Sequence, residues 1–170
     1  ARPIGKAKKI KTAGKNGHKL SKQDKEKIFA RDDNTCQGCG FKSGKYQDVV
    51  FLNSNIQDHS EKNLATACIF CHQCLNLEDV THMKSGVMIW MPEIKQSVLH
   101  HLARAIYVAR ISQGPIADTA RKTLDIIMKR KEEAERRLGT DKPEILSTVM
   151  RDYLGEKHYY HRKEKLDGIR

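Results

Sequence analysis

The chain has 170 residues, of which 31% are charged and 38% are hydrophobic, and its formal net charge is +11. This length and composition are typical of one soluble globular domain with a real core and some extended segments. No run approaches the roughly 20 apolar residues of a membrane span, and no apolar segment follows the basic N-terminal residues, so neither a transmembrane helix nor a secretory signal is predicted.

The first 20 residues are strongly basic. They contain no acidic side chain and seven basic ones: Arg2, Lys6, Lys8, Lys9, Lys11, Lys15 and Lys19. We predict a flexible arm over residues 1–20. Two interpretations stay open: contact with nucleic acid or an acidic partner through counterion release, and a solvated tail with no binding role. The rest of the chain is only modestly basic, so a dedicated DNA-binding face is not favoured.

The next predicted elements surround the first cysteines. Ser21 is a suitable helix N-cap with Asp24 three residues later, which predicts a helix to about Arg31. A turn with glycines, CQGCG, follows that helix. The apolar run DVVFLN, residues 48–53, then predicts a short strand.

A strand and a helix are predicted next. The stretch GVMIWMPE, residues 86–93, predicts a strand ended by proline. Apolar residues then recur at intervals of three and four, which predicts a helix over residues 94–111. The apolar stripe of this helix contains Ile94, Val98, Leu99, Leu102, Ile106 and Tyr107.

Two further helices complete the predicted elements. One covers residues 116–138 and is closed by Gly139. The other has Asp141 as a plausible N-cap, Pro143 near its start and Gly155 at its end.

These elements predict an α+β fold in four segments. Residues 1–20 are the basic arm, 21–92 a cysteine-bearing module, 93–155 a helical region and 156–170 a polar tail.

Four of the five cysteines form two Cys-x-x-Cys pairs, Cys36/Cys39 and Cys68/Cys71. A leftover thiol is awkward in a secreted protein, so we expect a reducing compartment and a metal rather than disulfides. Two such pairs complete a tetrahedron around zinc, and four thiolates leave no open position for water or substrate. We therefore predict one structural zinc ion.

The identity of the fourth ligand stays open at this point. His72 and Cys74 lie close enough in the sequence to replace a member of the second pair. The four paired cysteines are the simpler set, because they already close the coordination shell.

The stretches FARDDNTCQGCG and NLATACIFCH resemble the zinc-bearing His-Asn-His (HNH) nuclease module over about residues 27–75. The resemblance implies a small zinc-stapled HNH-like (ββα-metal) module with appended α-helices. It also implies that Asn63 corresponds to the central asparagine, which orients the catalytic loop. His72 corresponds to the final histidine, a ligand of the catalytic metal.

The first histidine of that module has no counterpart here. Its position falls in DVVFLN, where Val, Phe and Leu can neither accept a proton nor bind a cation. His59, which follows Asp58, lies only four residues before Asn63, so replacement of the base by His59 is not favoured. We therefore predict no catalytic residue: Asn63 and His72 are vestigial, and the chain is not an enzyme.

Two longer stretches, CIFCHQCLNLEDV and GVMIWMPEIKQSVLHHLARAIYVA, resemble the DotN (IcmJ) family of subunits of the Dot/Icm type IV secretion coupling complex, over about residues 20–140. The resemblance implies a non-catalytic adaptor that binds the C-terminal tail of the coupling ATPase, alongside other coupling-complex adaptors, and helps to recruit effector substrates. It implies a cytoplasmic location, peripheral to the inner membrane through the complex alone. The alternative is an HNH-type metal-dependent endonuclease or DNA-binding module.

Two further groups are candidates for function. Trp90, with Met88 and Met91 beside it, is either a core strand residue or part of an adaptable apolar surface that binds a partner. His100 and His101 point about 100° apart on a helix, so surface or groove-edge roles are favoured over joint metal binding.

Overall fold

The computed structural model describes residues 20–53, 55–77, 80, 83–155, 158 and 161–170. The basic arm predicted over residues 1–20 therefore lies, apart from Leu20, outside the described residues. The chain divides into two compact units, Ala1–Leu75 and Asn76–Arg170. Our sequence analysis placed the corresponding boundary after residue 92.

The first unit combines helices with a two-stranded sheet. Its elements are α1 (Lys22–Arg31), β1 (Gln47–Phe51), β2 (Leu64–Cys68) and α2 (Ile69–Leu75). The strands are antiparallel, with Gln47 opposite Cys68 and Phe51 opposite Leu64. Every residue of β2 is buried. This arrangement confirms the predicted mixture of helix and strand.

Local hydrogen bonding explains where α1 begins. The Ser21 hydroxyl accepts a hydrogen bond from the Asp24 amide at 3.1 Å and donates one to the Asp24 carboxylate at 2.7 Å. This side-chain cap satisfies one of the amides that a helix N-terminus leaves unpaired. The predicted start of the helix is confirmed.

A buried carboxylate joins α1 to β2. The Asp32 side chain is 3% exposed and accepts bonds from Arg31 Nε at 2.9 Å and from the Thr66 amide at 2.9 Å. The Arg31 guanidinium also donates to the carbonyl oxygens of Glu61 and Leu64, at 2.6 and 2.7 Å. Burial raises the pKa of Asp32, but the bonds from Arg31 and Thr66 lower it by more, so this carboxyl ionises below its usual range.

The second unit is built around a helical hairpin of α3 (Gln96–Ile111) and α4 (Pro115–Lys129). Its buried residues are His100 and Ile106 on α3 and Ala117 and Ala120 on α4. Small alanine side chains allow two helices to approach closely. No helix in the described ranges is both long and apolar enough to cross a bilayer.

The buried face of α3 differs from the predicted stripe. Val98 and Tyr107, both assigned to that stripe, are each 50% exposed. His100, which we expected at the surface or a groove edge, is 5% exposed, and its Nε2 lies 2.9 Å from Gln96 Nε2. The expectation for His100 is therefore wrong: α3 carries apolar side chains on more than one face, so spacing alone does not identify the buried one.

The helix predicted over residues 116–138 is broken in two. α4 ends at Lys129, and α5 (Lys131–Leu138) begins after Arg130. The Arg130 carbonyl accepts a bond from the Trp90 amide at 3.1 Å, and the Ala134 amide is 3.4 Å away. A hydrogen bond from outside a helix competes with the helical ladder, which is a known cause of kinks.

The ends of the later helices follow from backbone conformation. Gly139 closes α5 with φ 76°, the left-handed conformation that glycine adopts readily, as predicted. α6 (Pro143–Thr148) begins at the predicted proline, but its N-cap is Lys142 rather than Asp141. One π-helical turn continues it to Tyr153, so the helix ends before Gly155.

Residues near the end of the chain pack against the extended segment that contains Trp90. Trp90 pairs with Ile169 in an isolated bridge, so the predicted strand over 86–93 is reduced to this contact. The Ile89 and Arg170 amides each donate to the other residue's carbonyl, at 2.8 Å. A short helix, α7 (Arg162–Lys165), precedes this segment. The end of the predicted polar tail, residues 168–170, is therefore packed against the unit.

The Trp90 side chain is held between two groups of its own unit. The Arg137 guanidinium lies 3.8 Å from the ring centroid, in a cation–π contact. A Cβ added to Gly168 would lie 2.5 Å from the ring atoms Cη2 and Cζ3. Met88, two residues before Trp90, is 4% exposed and belongs to the core.

We expect Asp32→Asn to lower the free energy of unfolding by about 2 kcal/mol near neutral pH, because the buried carboxylate that pairs with Arg31 and accepts the Thr66 amide is lost. Since the folded pKa of Asp32 is depressed, the contribution is fully present above the unfolded pKa of about 4 and is lost as the pH falls through the folded value. Denaturant titrations at several pH values measure this difference, which should shrink in acid. The control is Asp33→Asn, an exposed neighbour with φ 51° that asparagine tolerates. Equal effects of both variants would contradict the prediction.

We expect Gly168→Ala to destabilise the second unit, by about 1–3 kcal/mol for overpacking. The added methyl would overlap the Trp90 ring at 2.5 Å, and Gly168 has φ 87°. Trp90 is the single tryptophan, so its fluorescence should shift to longer wavelength as the contact opens. Gly139→Ala is the control for backbone strain alone, because φ there is 76° and no atom lies within 4 Å of the added carbon. A Gly168→Ala variant no less stable than Gly139→Ala would exclude the clash.

Candidate metal centre

Three segments of the first unit bring the paired cysteines together. Cys36 and Cys39 lie in the turn after α1, Cys68 ends β2, and Cys71 lies in the first turn of α2. Their four sulfur atoms all lie within 4.8 Å of one another, and Cys39 Sγ is 3.6 Å from Cys68 Sγ. The structure therefore assembles the residues that the sequence spacing predicts.

Backbone hydrogen bonds shape the turn that presents the first pair. The Cys36 amide donates to the Phe41 carbonyl at 2.9 Å, and the Gly40 amide donates to the Cys36 carbonyl at 2.8 Å. Gly40 has φ 77°, which a residue with a side chain rarely adopts. The Gln37 amide donates to the Thr66 carbonyl at 2.9 Å, which anchors the turn to β2.

Gly38 leaves room for the sulfurs. A Cβ at this position would lie 3.0 Å from Cys71 Sγ and 3.7 Å from Cys36 Sγ. A larger residue would therefore press on the ligand atoms. The cradle fits an ion held by all four cysteines.

The sulfur cluster favours one thiolate, at Cys36, while the pKa values of Cys68 and Cys71 are raised by their bonds to it. Hydrogen bonds with the Cys68 and Cys71 thiols lower the pKa of Cys36 well below its ordinary value. The same bond to Cys36 raises the pKa of Cys68 to about 11, because the Cys68 proton is held between two sulfurs. A thiolate inside a cluster that is largely shielded from water is the ligand form that a cation binds.

The chemistry of the donors limits what an ion could do here. Four sulfur atoms within 4.8 Å of one another suit a thiophilic metal in tetrahedral coordination. Sulfurs about 2.3 Å from a central zinc would be about 3.8 Å apart, close to the Cys39–Cys68 separation. Four protein ligands leave no position for water or substrate, so the arrangement supports folding rather than catalysis.

The two alternative ligands lie outside this cluster. Cys74 is exposed, and His72 is half-buried on α2. Among the described residues, no other set of three or more His, Cys, Asp and Glu side chains converges on one point. The alternative that His72 or Cys74 replaces a paired cysteine has no geometric support.

Asn63 organises the loop between the two strands. It is 5% exposed, and its side-chain oxygen accepts a bond from the Asn53 amide at 2.8 Å. Its side-chain nitrogen donates to the Asp58 carbonyl at 2.7 Å. Asn63 thus holds both ends of residues 53–58 against the start of β2, a structural task that needs both a donor and an acceptor.

His59 and Asp58 take part in the same loop. Nε2 of the exposed His59 ring lies 3.0 Å from the Ile56 carbonyl oxygen, and the ring centroid is 5.8 Å from that of Phe51. The Asp58 carboxylate accepts bonds from the Ser60 amide at 3.1 Å and from Asn53 Nδ2 at 2.8 Å. Bonds from Ser60 and Asn53 lower the pKa of Asp58. These contacts organise the loop.

The proposed partner residues have different surroundings in the structure. Met88 is buried, Met91 is half-buried, and Trp90 is stacked with Arg137. Sequence reasoning missed a different set of exposed apolar residues, on α3 and α4, with Val108 64% and Ile111 86% exposed. The sequence signal for such exposed apolar residues is the presence of apolar side chains on more than one face of a predicted helix.

Comparison with known proteins gives one informative relative. No protein-family model matches the chain. The type 4 apparatus protein DotN of Legionella pneumophila subsp. pneumophila (strain Philadelphia 1) is 33% identical over 135 residues, which cover 77% of this chain and 63% of DotN. The chain thus spans less than two thirds of the length of this relative. The resemblance indicated by the sequence is confirmed: the chain is a homologue of the type 4 apparatus protein DotN.

Proposed function

We propose that the chain is a subunit of a Dot/Icm type IV secretion coupling complex and acts there as a non-catalytic adaptor. The observation that carries this proposal is the 33% identity to DotN over 77% of the chain. In this role it binds the C-terminal tail of the coupling ATPase, next to other adaptors, and helps to recruit effector substrates. It is then cytoplasmic and reaches the inner membrane through the complex.

The first unit serves this role as a scaffold of the HNH type that has kept its structural metal ion and lost its catalytic activity. Two features support the proposal. The Asn63 contacts reproduce the loop-orienting task of the central asparagine, and the end of β1 offers Val50, Phe51 and then Leu52 where a general base would be needed.

The metal in this proposal is one structural zinc ion, held by Cys36, Cys39, Cys68 and Cys71. Zinc in structural sites is tetrahedral, four cysteine sulfurs are one of its common ligand sets, and it has no redox chemistry that would damage them. Bound there, it supplies the crosslink between the turn after α1 and the junction of β2 with α2.

Metal analysis of the purified chain should find about one zinc per molecule, as a single tetrahedral site requires. Cys39→Ser should lose the metal and unfold at a lower temperature, because zinc-binding energy contributes to folding. The matched control is Cys74→Ser, which changes a cysteine outside the cluster and should retain both zinc and stability. Zinc loss in both variants, or normal folding of the metal-free chain, would contradict the proposal.

The adaptor proposal is tested by co-expressing the chain with the C-terminal tail of the coupling ATPase. We expect a complex that survives gel filtration at physiological salt, where exposed charges are screened beyond about 8 Å. A variant lacking residues 1–19 should still form it, because stable complexes depend on buried contacts rather than on charged rims. A complex that requires the arm and added nucleic acid would support the DNA-binding alternative instead.

The adaptor proposal also predicts that the chain has no nuclease activity. The purified chain with Mg²⁺, Mn²⁺ or Ni²⁺ should nick plasmid DNA no faster than its His59→Ala variant. Cleavage that disappears in His59→Ala would show that the loop histidine acts as a base, and the adaptor proposal would then fail.

A further inference from the structure

The four cysteines of the candidate metal centre differ in how far the protein covers them. The first member of each pair is enclosed, since Cys36 and Cys68 are each 1% exposed. The second members, Cys39 and Cys71, are half-buried. An ion held by the four sulfurs therefore has a covered side and a side that lies nearer to solvent.

The covered side is formed by the sheet. Cys68 is the last residue of β2, a strand in which every residue is buried. Cys36 belongs to the same buried cluster as Cys68, together with Val50, Ala65 and Ala67. A dissolved reagent reaches these two sulfurs only when the fold opens locally, which buried segments do rarely.

Of the two half-buried cysteines, Cys71 is the better covered. A Cβ added to Gly38 would lie 3.0 Å from Cys71 Sγ and 3.4 Å from Cys71 Cβ. The backbone of Gly38 therefore lies against the Cys71 side chain. Phe70, the neighbour of Cys71 on α2, is also packed against the buried cluster.

Cys39 has less cover. Its two neighbours in the chain are the glycines Gly38 and Gly40, and both are exposed. A Cβ added to Gly40 would have no atom within 4 Å, so the space beside this residue is open. Cys39 is therefore the cluster cysteine that a reagent from solution meets first.

Metal binding makes this difference in cover chemically important. Every cysteine that binds zinc does so as a thiolate, and the thiolate is the nucleophilic form of cysteine. Because all four ligands are then in the same ionisation state, accessibility decides which of them reacts. A thiolate is a soft nucleophile, so the matching reagent is a soft electrophile such as an α,β-unsaturated carbonyl compound.

We propose that Cys39 is a modification site for α,β-unsaturated carbonyl compounds and that its modification releases the metal ion. Cys39 Sγ attacks the β-carbon and forms a C–S bond. The π electrons of the double bond move to the α-carbon, which takes a proton from water and leaves hydroxide. The product is a neutral thioether, which lacks the charge of the thiolate ligand, so its bond to the ion breaks.

Release of the ion changes the first unit as a whole. The four cysteines join the turn after α1 to the junction of β2 with α2. A chain modified at Cys39 loses this crosslink and the folding free energy that metal binding contributes. The inference rests on the proposed structural zinc site, to which it adds a reactive ligand.

The test uses the full chain with N-ethylmaleimide as the electrophile. The chain carries Cys74→Ser, which removes the exposed thiol outside the cluster, and its zinc content is measured first. After a short reaction the protein is denatured with a chelator and treated with isotopically heavy reagent. Mass spectrometry then gives the fraction of each cysteine that reacted in the folded protein, and a chromogenic indicator follows zinc release.

We expect Cys39 to react about tenfold or more faster than the other three cluster cysteines, because it is the most accessible thiolate. Zinc should appear at the same rate as the Cys39 adduct. Both rates should rise in proportion to the concentration of N-ethylmaleimide.

Gly40→Asn tests the side from which the reagent approaches. Asparagine tolerates the φ of 77° at this position, and its side chain would occupy the open space beside Cys39. Reaction at Cys39 should therefore slow by about threefold or more, as partial shielding of a thiolate predicts. Zinc content and circular dichroism check that the variant is folded.

Three results would overturn the proposal. They are reaction at Cys39 no faster than at the other cluster cysteines, an unchanged rate in Gly40→Asn, and zinc release that does not depend on reagent concentration. In the last case, modification would follow spontaneous loss of the metal.

The zinc content at the start separates this inference from the metal site on which it rests. A chain without zinc would overturn the structural zinc proposal and this inference together. A zinc-loaded chain in which Cys39 does not react would overturn this inference alone.

Discussion

Four sulfur atoms from three segments of the first unit converge within 4.8 Å of one another, which is the arrangement that a single metal ion requires. The unit has a two-stranded sheet, and such a hairpin is marginal in water without support from another element. The cysteine cluster brings the turn after α1 next to the end of β2 and the start of α2. The Asp32 carboxylate connects the end of α1 to the middle of β2, where it accepts a hydrogen bond from the Thr66 amide.

The second unit is stabilised by a different set of contacts. Its hairpin packs alanines against a partner helix, and its extended segment contributes backbone amides to carbonyls outside itself. Trp90 makes two of these contacts: its amide donates to the Arg130 carbonyl between α4 and α5, and its ring is stacked against Arg137. Large apolar side chains, among them Val108 and Ile111, are left exposed on the hairpin.

Features that depend on neighbouring residues could be predicted from the sequence, whereas contacts between distant residues could not. The Cys-x-x-Cys spacing predicted the cluster, since both members of each pair lie in one turn. The Ser21 cap predicted the start of α1 in the same way. β2 was missed because LATAC is buried throughout and shows no alternation of apolar and polar residues. The break at Arg130 was not predicted, and the Trp90 amide that bonds to the carbonyl there comes from 40 positions earlier in the chain, where no local pattern could indicate it.

The pairing of residues 89–91 with 168–170 has a consequence for how this protein can change in evolution. Each amide of that pairing has a specific carbonyl as its partner, from Ile89 with Arg170 to Met91 with Gly168. Because side chains alternate along extended backbone, one inserted or deleted residue would turn Trp90 away from Gly168 and Arg137. Substitutions that keep an aromatic ring at position 90 are compatible with this geometry, whereas changes in length are not. Related chains should therefore vary in length in the turns between helices and keep the number of residues between Met88 and Pro92 constant.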